Sequence, residues 1–193
     1  MEKKIKFAST VMLIDAPYLN KVGNDMRAHF EPIVNRTLPK ADLAALLEYM
    51  ALDAGIQTGD NEIQVIFIYE QGEGEMTFCT PSLLEKDLNN VAFKGQLGEF
   101  SLYAFQPSEL ATRQELFMES LQLLGDEKEI GRLVVVPDEG YVKELCGPVA
   151  AMKEKKKEVT VLGMNPPCQN EAYRFEMLGF AVLQALGIRA EEL

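Results

Sequence analysis

Runs of consecutive large apolar residues, each followed by an acidic residue, recur along the chain. The run over residues 11–14 ends at Asp15, and the run over residues 133–136 is followed, after one proline, by Asp138 and Glu139. Four apolar residues without alternation are typical of a strand that is buried on both faces, as in a parallel sheet. The pattern therefore predicts parallel strands whose carboxyl ends carry acidic side chains.

Predicted strands alternate with predicted helices, which indicates an α/β protein. Strands are predicted at about residues 8–15, 63–69, 100–105, 132–136 and 159–162. Helical segments are predicted after Pro17, after Pro39, from Thr80 to about Phe93, from Ser108 to Leu124, from Glu139 to Lys157 and from Asn170 to Leu186. The charged, glycine-containing stretch at 70–75 is expected to be an exposed loop. Right-handed crossovers then predict a three-layer α/β/α sandwich with a mainly parallel five-stranded sheet, as one domain over residues 1–193.

Composition and charge narrow the function classes. The 193 residues, 47% hydrophobic and 25% charged, match an ordinary soluble domain. The net charge of −11 disfavours a basic nucleic-acid-binding surface. No stretch approaches the ~20 apolar residues of a membrane helix. Ser9 and Thr10 interrupt what would be the apolar core of a signal peptide, so we expect a cytoplasmic protein with no membrane partner.

The cysteines and the histidine suggest little chemistry. Cys79, Cys146 and Cys168 are odd in number and lack a CxxC pair, so we expect inert thiols rather than a disulfide framework or a zinc site. His29 lies on a predicted amphipathic helix and is expected to be structural.

The acids at the strand ends are the strongest candidates for chemistry. In parallel sheets, ligands bind beyond the carboxyl ends of the strands, and two carboxylates on that edge can hold a divalent cation. The alternative for Asp138 is that it caps the next helix, since aspartate is a favoured N-cap. Capping explains Asp15 less readily, because Pro17 and Tyr18 follow it. Tyr18 and Asn20 could line the same crevice.

Two segments resemble NYN domains, which are relatives of the PIN-like nucleases. Residues 11–19, with the sequence VMLIDAPYL, resemble the opening of that family, where a hydrophobic strand ends in Ile-Asp-Gly followed by Asn-Leu or Tyr-Leu. Residues 133–145, LVVVPDEGYVKEL, lie where the family carries a strand and then Ser-Gly-Asp-x-Asp-Phe, and residues 157–163, KEVTVLG, follow in the same order. The resemblance implies a PIN/NYN-like fold and a Mg²⁺- or Mn²⁺-dependent ribonuclease, with Asp15 and Asp138 as catalytic and metal-binding acids.

The chain departs from this family pattern at the site itself. The second acid of the later motif is replaced by Gly140, and the small residues before its first acid are replaced by Val136 and Pro137. Glu139 could supply the missing carboxylate from the neighbouring position. The family also carries an aspartate on the helix before this strand. The candidates for it are Glu115 and Glu119, four residues apart and so on one helix face.

Three functions therefore remain open. The first is a metal-dependent ribonuclease acting on RNA. The second is a catalytically inactive NYN/PIN-like binding or regulatory module, whose partner is another protein or a second copy of the chain. Its candidate surface is the apolar closing helix, for which burial in the core is the alternative: Tyr173, Phe175, Met177, Leu178, Phe180, Val182 and Leu183. The third is a flavodoxin-like nucleotide-binding domain, which the absence of a glycine-rich loop after the first strand disfavours.

Overall fold

The computed structural model describes residues 6–166 and 173–193. The strands are β1 (Thr10–Asp15), β2 (Ala41–Asp42), β3 (Asn61–Ile68), β4 (Cys79–Thr80), β5 (Val91–Gly95), β6 (Gly98–Phe105), β7 (Arg132–Val136), β8 (Glu158–Gly163) and β9 (Arg174–Met177). The α-helices are α1 (Ala16–Val34), α2 (Leu43–Asp53), α3 (Leu84–Asp87), α4 (Arg113–Asp126), α5 (Cys146–Glu154) and α6 (Leu178–Ala185). Two 3₁₀ turns are formed by Val142–Leu145 and Ala190–Glu192.

A mostly parallel sheet organises the chain. Within the described residues, seven strands pair in the order β5-β6-β3-β1-β7-β8-β9, and β2 pairs with β4 separately. Of the described strands in the large sheet, β5 alone runs antiparallel to its neighbour. In chain order the parallel strands follow the sequence 3-2-1-4-5-6 of a doubly wound sheet, whose winding reverses between β1 and β7. The predicted α/β class and mainly parallel sheet are confirmed.

Helices cover both faces of this sheet, which makes three layers. Alternate residues of β1 point to opposite faces, so Met12 and Ile14 join one hydrophobic cluster and Val11 and Leu13 join the other. The first cluster includes buried residues of α1, α2 and α6, and the second includes buried residues of α4 and α5. The run of four apolar residues is thus explained by a strand that needs a hydrophobic side chain on both faces.

The predicted count of five strands is wrong, because two edge strands lie where helices were predicted. The segment from Thr80 to Phe93 forms only the short α3 before β5, which pairs with β6 after Asn90 adopts a left-handed φ of 58°. The predicted closing helix begins eight residues late, at Leu178. The preceding β9 instead pairs with β8, setting Phe175 opposite Val161. Residues 170–172 of that prediction lie outside the described residues.

Two smaller expectations also need correction. Helix α4 begins at Arg113 rather than at Ser108, because Thr112 and Glu115 form a reciprocal capping box there. Cys79 is free and buried, but Cys146 is disulfide-bonded, so the expectation of inert thiols is wrong for that residue. Cys168 lies outside the described residues. None of the described helices is both long and apolar enough to cross a membrane.

Candidate functional site

The candidate acids meet at the point where the winding of the sheet reverses. Asp15 is the last residue of β1, and Asp138 lies two residues beyond the end of β7. These two strands are neighbours, with Ile14 paired to Val136. The crevice outside the carboxyl ends of the strands at such a reversal is where doubly wound proteins bind ligands.

A guanidinium group lies between the candidate acids. Arg113 Nε is 3.1 Å from Asp15 Oδ2, and Arg113 Nη2 donates a hydrogen bond of 3.2 Å to Asp138 Oδ2. Arg113 Nη1 donates to Glu70 Oε1 at 2.8 Å and to Glu73 Oε2 at 2.9 Å. Nε has no well-aligned acceptor among the described residues, so its contact with Asp15 is an ion pair rather than a hydrogen bond. Four carboxylates therefore surround one arginine.

The position of Arg113 is unusual for a basic residue. It is the first residue of α4, where the positive end of the helix dipole disfavours a cation. Burial alone would lower the pKa of its guanidinium, but Asp15, Glu70 and Asp138 raise that pKa above its ordinary value. The carboxylates therefore offset both the helix dipole and the loss of solvent. We define the Arg113 cluster as Arg113 with Asp15, Glu70, Glu73 and Asp138.

Asp15 is fully buried, and both of its oxygens are engaged. Oδ1 accepts a 3.0 Å hydrogen bond from the Tyr18 amide, while Oδ2 accepts one from the Tyr141 hydroxyl and faces Arg113. Burial raises the pKa of Asp15 to about 6, although the Tyr141 hydroxyl, the Tyr18 amide and Arg113 each oppose this shift. Asp15 is also the N-cap of α1, contrary to the sequence-based argument, because Pro17 is accommodated in the first helical turn.

Asp138 is held by the loop that follows β7. Its Oδ1 accepts a 2.7 Å hydrogen bond from the Gly140 amide, and its Oδ2 accepts from Arg113. The bond to Gly140 forms a local turn. Asp138 does not cap a helix, since the next turn begins at Val142 with Tyr141 at its N-cap position.

This donor set does not fit the divalent cation that the NYN resemblance implies. Mg²⁺ and Mn²⁺ need carboxylate oxygens that are free to coordinate. All four carboxylate oxygens of Asp15 and Asp138 already face an amide, a hydroxyl or the Arg113 guanidinium. In the part of the chain that the structure describes, no group of three or more acidic, histidine or cysteine side chains is arranged to hold a metal.

A second polar network borders the cluster. Tyr18 donates its hydroxyl hydrogen to Glu139 Oε1 over 3.2 Å, and the same hydroxyl accepts from the Met164 amide over 3.3 Å. Asn165 Nδ2 donates to the same Glu139 oxygen at 3.1 Å. Burial, followed by the Glu139 charge, raises the pKa of Tyr18. Tyr18 therefore joins Asp15 to this second network through its amide and its hydroxyl, while Glu139 lies beside the Arg113 cluster and is not a member of it.

The remaining predicted site residues lie elsewhere. Glu115 accepts a 2.9 Å hydrogen bond from the Thr112 amide in the capping box of α4. Glu119 is exposed on α4, and its side chain makes no hydrogen bond or ion pair with the described residues. Asn20 Oδ1 accepts from Asn24, Thr77 and the Phe78 amide, so it fixes the loop at 77–78.

Sequence reasoning missed three members of the Arg113 cluster. Glu70 and Glu73 lie in the stretch predicted to be an unpacked loop, yet both bind Arg113. One signal was present in the sequence: Thr112 and Glu115 have the spacing of a capping box, which sets Arg113 in the first turn of a helix. A cation at that position indicates nearby acids, although it does not say which ones.

We predict that Tyr141→Phe lowers the free energy of unfolding by about 1–3 kcal/mol, because it removes a hydrogen bond to the buried carboxylate of Asp15. Tyr18→Phe is the matched control, since the groups that lose a bond there are the exposed Glu139 carboxylate and the half-buried Met164 amide. Chemical denaturation of the two variants and the wild type measures both effects. Equal losses in the two variants would contradict the importance of the buried bond.

Together, the fold and this crevice define a doubly wound α/β protein in which one buried aspartate and three more exposed acids surround an arginine. The chain belongs to the family described as "Family of unknown function (DUF6621)", whose model matches residues 4–193. No curated protein matches the chain. Among solved structures, a chain from one described as "The Structural basis for Sirtuin Substrate affinity" aligns over 93% of this chain and 94% of its own, with 12% identity and a TM-score of 0.36. A likeness this weak carries no conclusion.

Proposed function

We propose that this chain is a catalytically inactive α/β module, with a PIN/NYN-like arrangement of acids, that acts by binding a protein partner. The observation that supports this proposal is the Arg113 guanidinium between Asp15 and Asp138. The guanidinium occupies the carboxylates that a catalytic metal ion would need as ligands. A cytoplasmic location stays a prediction from the sequence.

The physical case rests on what metal-dependent hydrolysis requires. A metal activates water and stabilises the charge of the reacting phosphate, which it can do only with open coordination positions. Arginine keeps its charge at any physiological pH, so protonation changes do not release these acids. The net charge of −11 also works against a polyanionic substrate such as RNA. The cluster is better suited to fix the strand ends than to cleave a phosphodiester.

A divalent-metal-dependent ribonuclease is the second candidate function. It is favoured by the convergence of Asp15 and Asp138 on one edge of the sheet, with Glu139 next in the chain. For this activity the Arg113 side chain would have to leave the two acids. That departure would leave the buried Asp15 carboxylate without its paired cation until a metal ion bound, which is costly.

The two candidates are separated by thermal unfolding of the wild type and of Asp15→Asn, with and without millimolar Mn²⁺, together with an RNA cleavage assay. The proposal predicts no Mn²⁺-dependent change in Tm for the wild type and no cleavage. A metal at 100 times its Kd would add about 2.7 kcal/mol, a visible shift. A shift that Asp15→Asn abolishes would instead establish a metal site, and a cleavage activity that Asp15→Asn abolishes would establish the ribonuclease.

A further inference from the structure

An apolar groove lies between two helices on the face of the sheet that carries α1 and α6. We call it the α1–α6 groove. It has a volume of about 420 Å³, within the range of ligand sites. Its lining residues come from α1, from α6 and from the ends of β8 and β9: Asp25, Met26, His29, Phe30, Met164, Met177, Gly179, Phe180 and Leu183.

Phe180 is the clearest sign that the described residues leave this groove uncovered. Its neighbours Leu178, Gly179, Ala181 and Val182 are buried, yet Phe180 is 65% exposed. The predicted interaction surface on the closing helix is therefore reduced to this edge of α6, since the other side of the helix belongs to the core. An exposed phenylalanine beside an open apolar groove is typical of a protein-binding surface.

The floor and walls of the groove can adapt to a ligand. A Cβ added to Gly179 would lie 3.4 Å from the Met164 methyl and 3.7 Å from that of Met26, so glycine keeps the floor open. Met26, Met164 and Met177 all line the groove. Methionine side chains are flexible and polarisable, and surfaces rich in them repack around different apolar partners.

The shape and chemistry of the groove favour a helix as its occupant. A third helix can lay a ridge of side chains into the groove between two helices. Among the described residues that line it, the polar side chains are those of Asp25 and His29, so an extended peptide would find few partners for its backbone. A helix satisfies its own backbone hydrogen bonds and needs from the groove only apolar contact.

The charge around the groove favours one kind of partner helix. The charged lining side chain of the groove is Asp25, and the chain as a whole carries a net charge of −11. Two copies meeting through this face would bring equal negative charges together, which opposes association. A helix whose apolar face is flanked by Lys or Arg is attracted instead.

We infer that the α1–α6 groove binds the apolar face of a basic amphipathic helix from a partner protein. The inference rests on the proposed function, because it supplies the kind of partner for a module that acts through protein contacts. Phe180 and the three methionines contact the apolar side chains of that helix, and Asp25 pairs with one of its basic residues.

Fluorescence anisotropy with a synthetic helical peptide tests this. The probe is a labelled peptide of about 18 residues, or five turns, with leucines on one face and lysines elsewhere, and a second peptide replaces every lysine by glutamate. Phe180→Ser is expected to weaken binding of the lysine peptide at least about tenfold. Asp25→Asn is expected to weaken it a few-fold and to reduce its salt dependence.

Leu123→Ser is the matched control. Leu123 is also exposed, at 53%, but it lies on α4 in the opposite helical layer, so this variant should bind like the wild type. The inference is overturned by absent binding to the wild type, by equal loss in the two serine variants, or by equal affinity for the two peptides. A dimer of the free chain that Phe180→Ser dissociates in sedimentation would also overturn it, in favour of a second copy. None of these outcomes changes the result of the Mn²⁺ and RNA tests. Failure of the groove proposal can therefore be distinguished from failure of the proposed function.

Discussion

Arg113→Ala is expected to lower the free energy of unfolding by about 3–5 kcal/mol, the cost of removing one partner from a buried ion pair. The Arg113 side chain is 18% exposed, and that of Asp15 is fully buried. Without the guanidinium, Asp15 and Asp138 face each other's charge in a poorly solvated crevice. Urea denaturation of the variant and the wild type measures the loss directly.

The same variant is expected to gain an affinity for Mn²⁺ that the wild type lacks. Asp15, Glu70, Glu73 and Asp138 each contact a nitrogen of the Arg113 guanidinium, so its removal opens a space into which their carboxylates can turn, although as described they do not form a metal site. A divalent cation can then replace the lost positive charge. Millimolar Mn²⁺ should therefore raise the Tm of Arg113→Ala and recover part of the lost stability.

Arg132→Ala is the matched control for this prediction. Arg132 pairs with Glu158 at 2.9 Å, but the glutamate is 72% exposed, so the loss should stay below about 1 kcal/mol. Its Tm should not respond to Mn²⁺. If Arg113→Ala loses no more stability than Arg132→Ala, the Arg113 cluster does not stabilise the fold. If the loss is large but Mn²⁺ restores nothing, the guanidinium is not in the position of a cation site.

The sequence predicted the central strands and the presence of two acids at one edge of the sheet, because both follow from local pattern. A run such as residues 133–136 must be buried on two faces, and parallel strands that each end in an acid bring those acids to one edge. Arg113, Glu70 and Glu73 come together from segments up to 43 residues apart, with no local pattern that links them. Ion pairs of this kind depend on the order of the strands in the sheet, which the hydrophobic periodicity of the sequence does not predict.

The incorrect predictions of secondary structure also have a physical explanation. Residues 174–177, RFEM, alternate charged and apolar side chains as a strand does, and the edge of β8 offers them backbone partners. Phe180 illustrates the same limit on the surface. Its run of apolar neighbours predicted either a core helix or an interface, and the structure buries one side of α6 while it leaves Phe180 exposed on the other.

The wild type is expected to lose stability as the pH rises from about 4 to about 6, because of Asp15. Its pKa is raised by burial from 3.8 to about 6, so the folded chain keeps a proton that the unfolded chain has already released. Stability falls with increasing pH wherever the folded state binds more protons. A shift of this size corresponds to about 3 kcal/mol at most. The loss of stability is complete once the pH is above about 6, the pKa of Asp15 in the folded chain. It is absent below pH 3.8, the pKa of Asp15 in the unfolded chain.

Asp15→Asn removes the titrating group, so its stability should lack this component of the pH dependence. The variant also loses an acceptor, because an amide cannot accept from both the Tyr18 amide and the Tyr141 hydroxyl while facing Arg113. The comparison is therefore between slopes rather than absolute values. Free energies of unfolding measured at several pH values between 4 and 7 should give curves that diverge toward low pH, with the wild type gaining more. Parallel curves would mean that Asp15 is ionised throughout this range and that Arg113 and Tyr141 outweigh the cost of its burial.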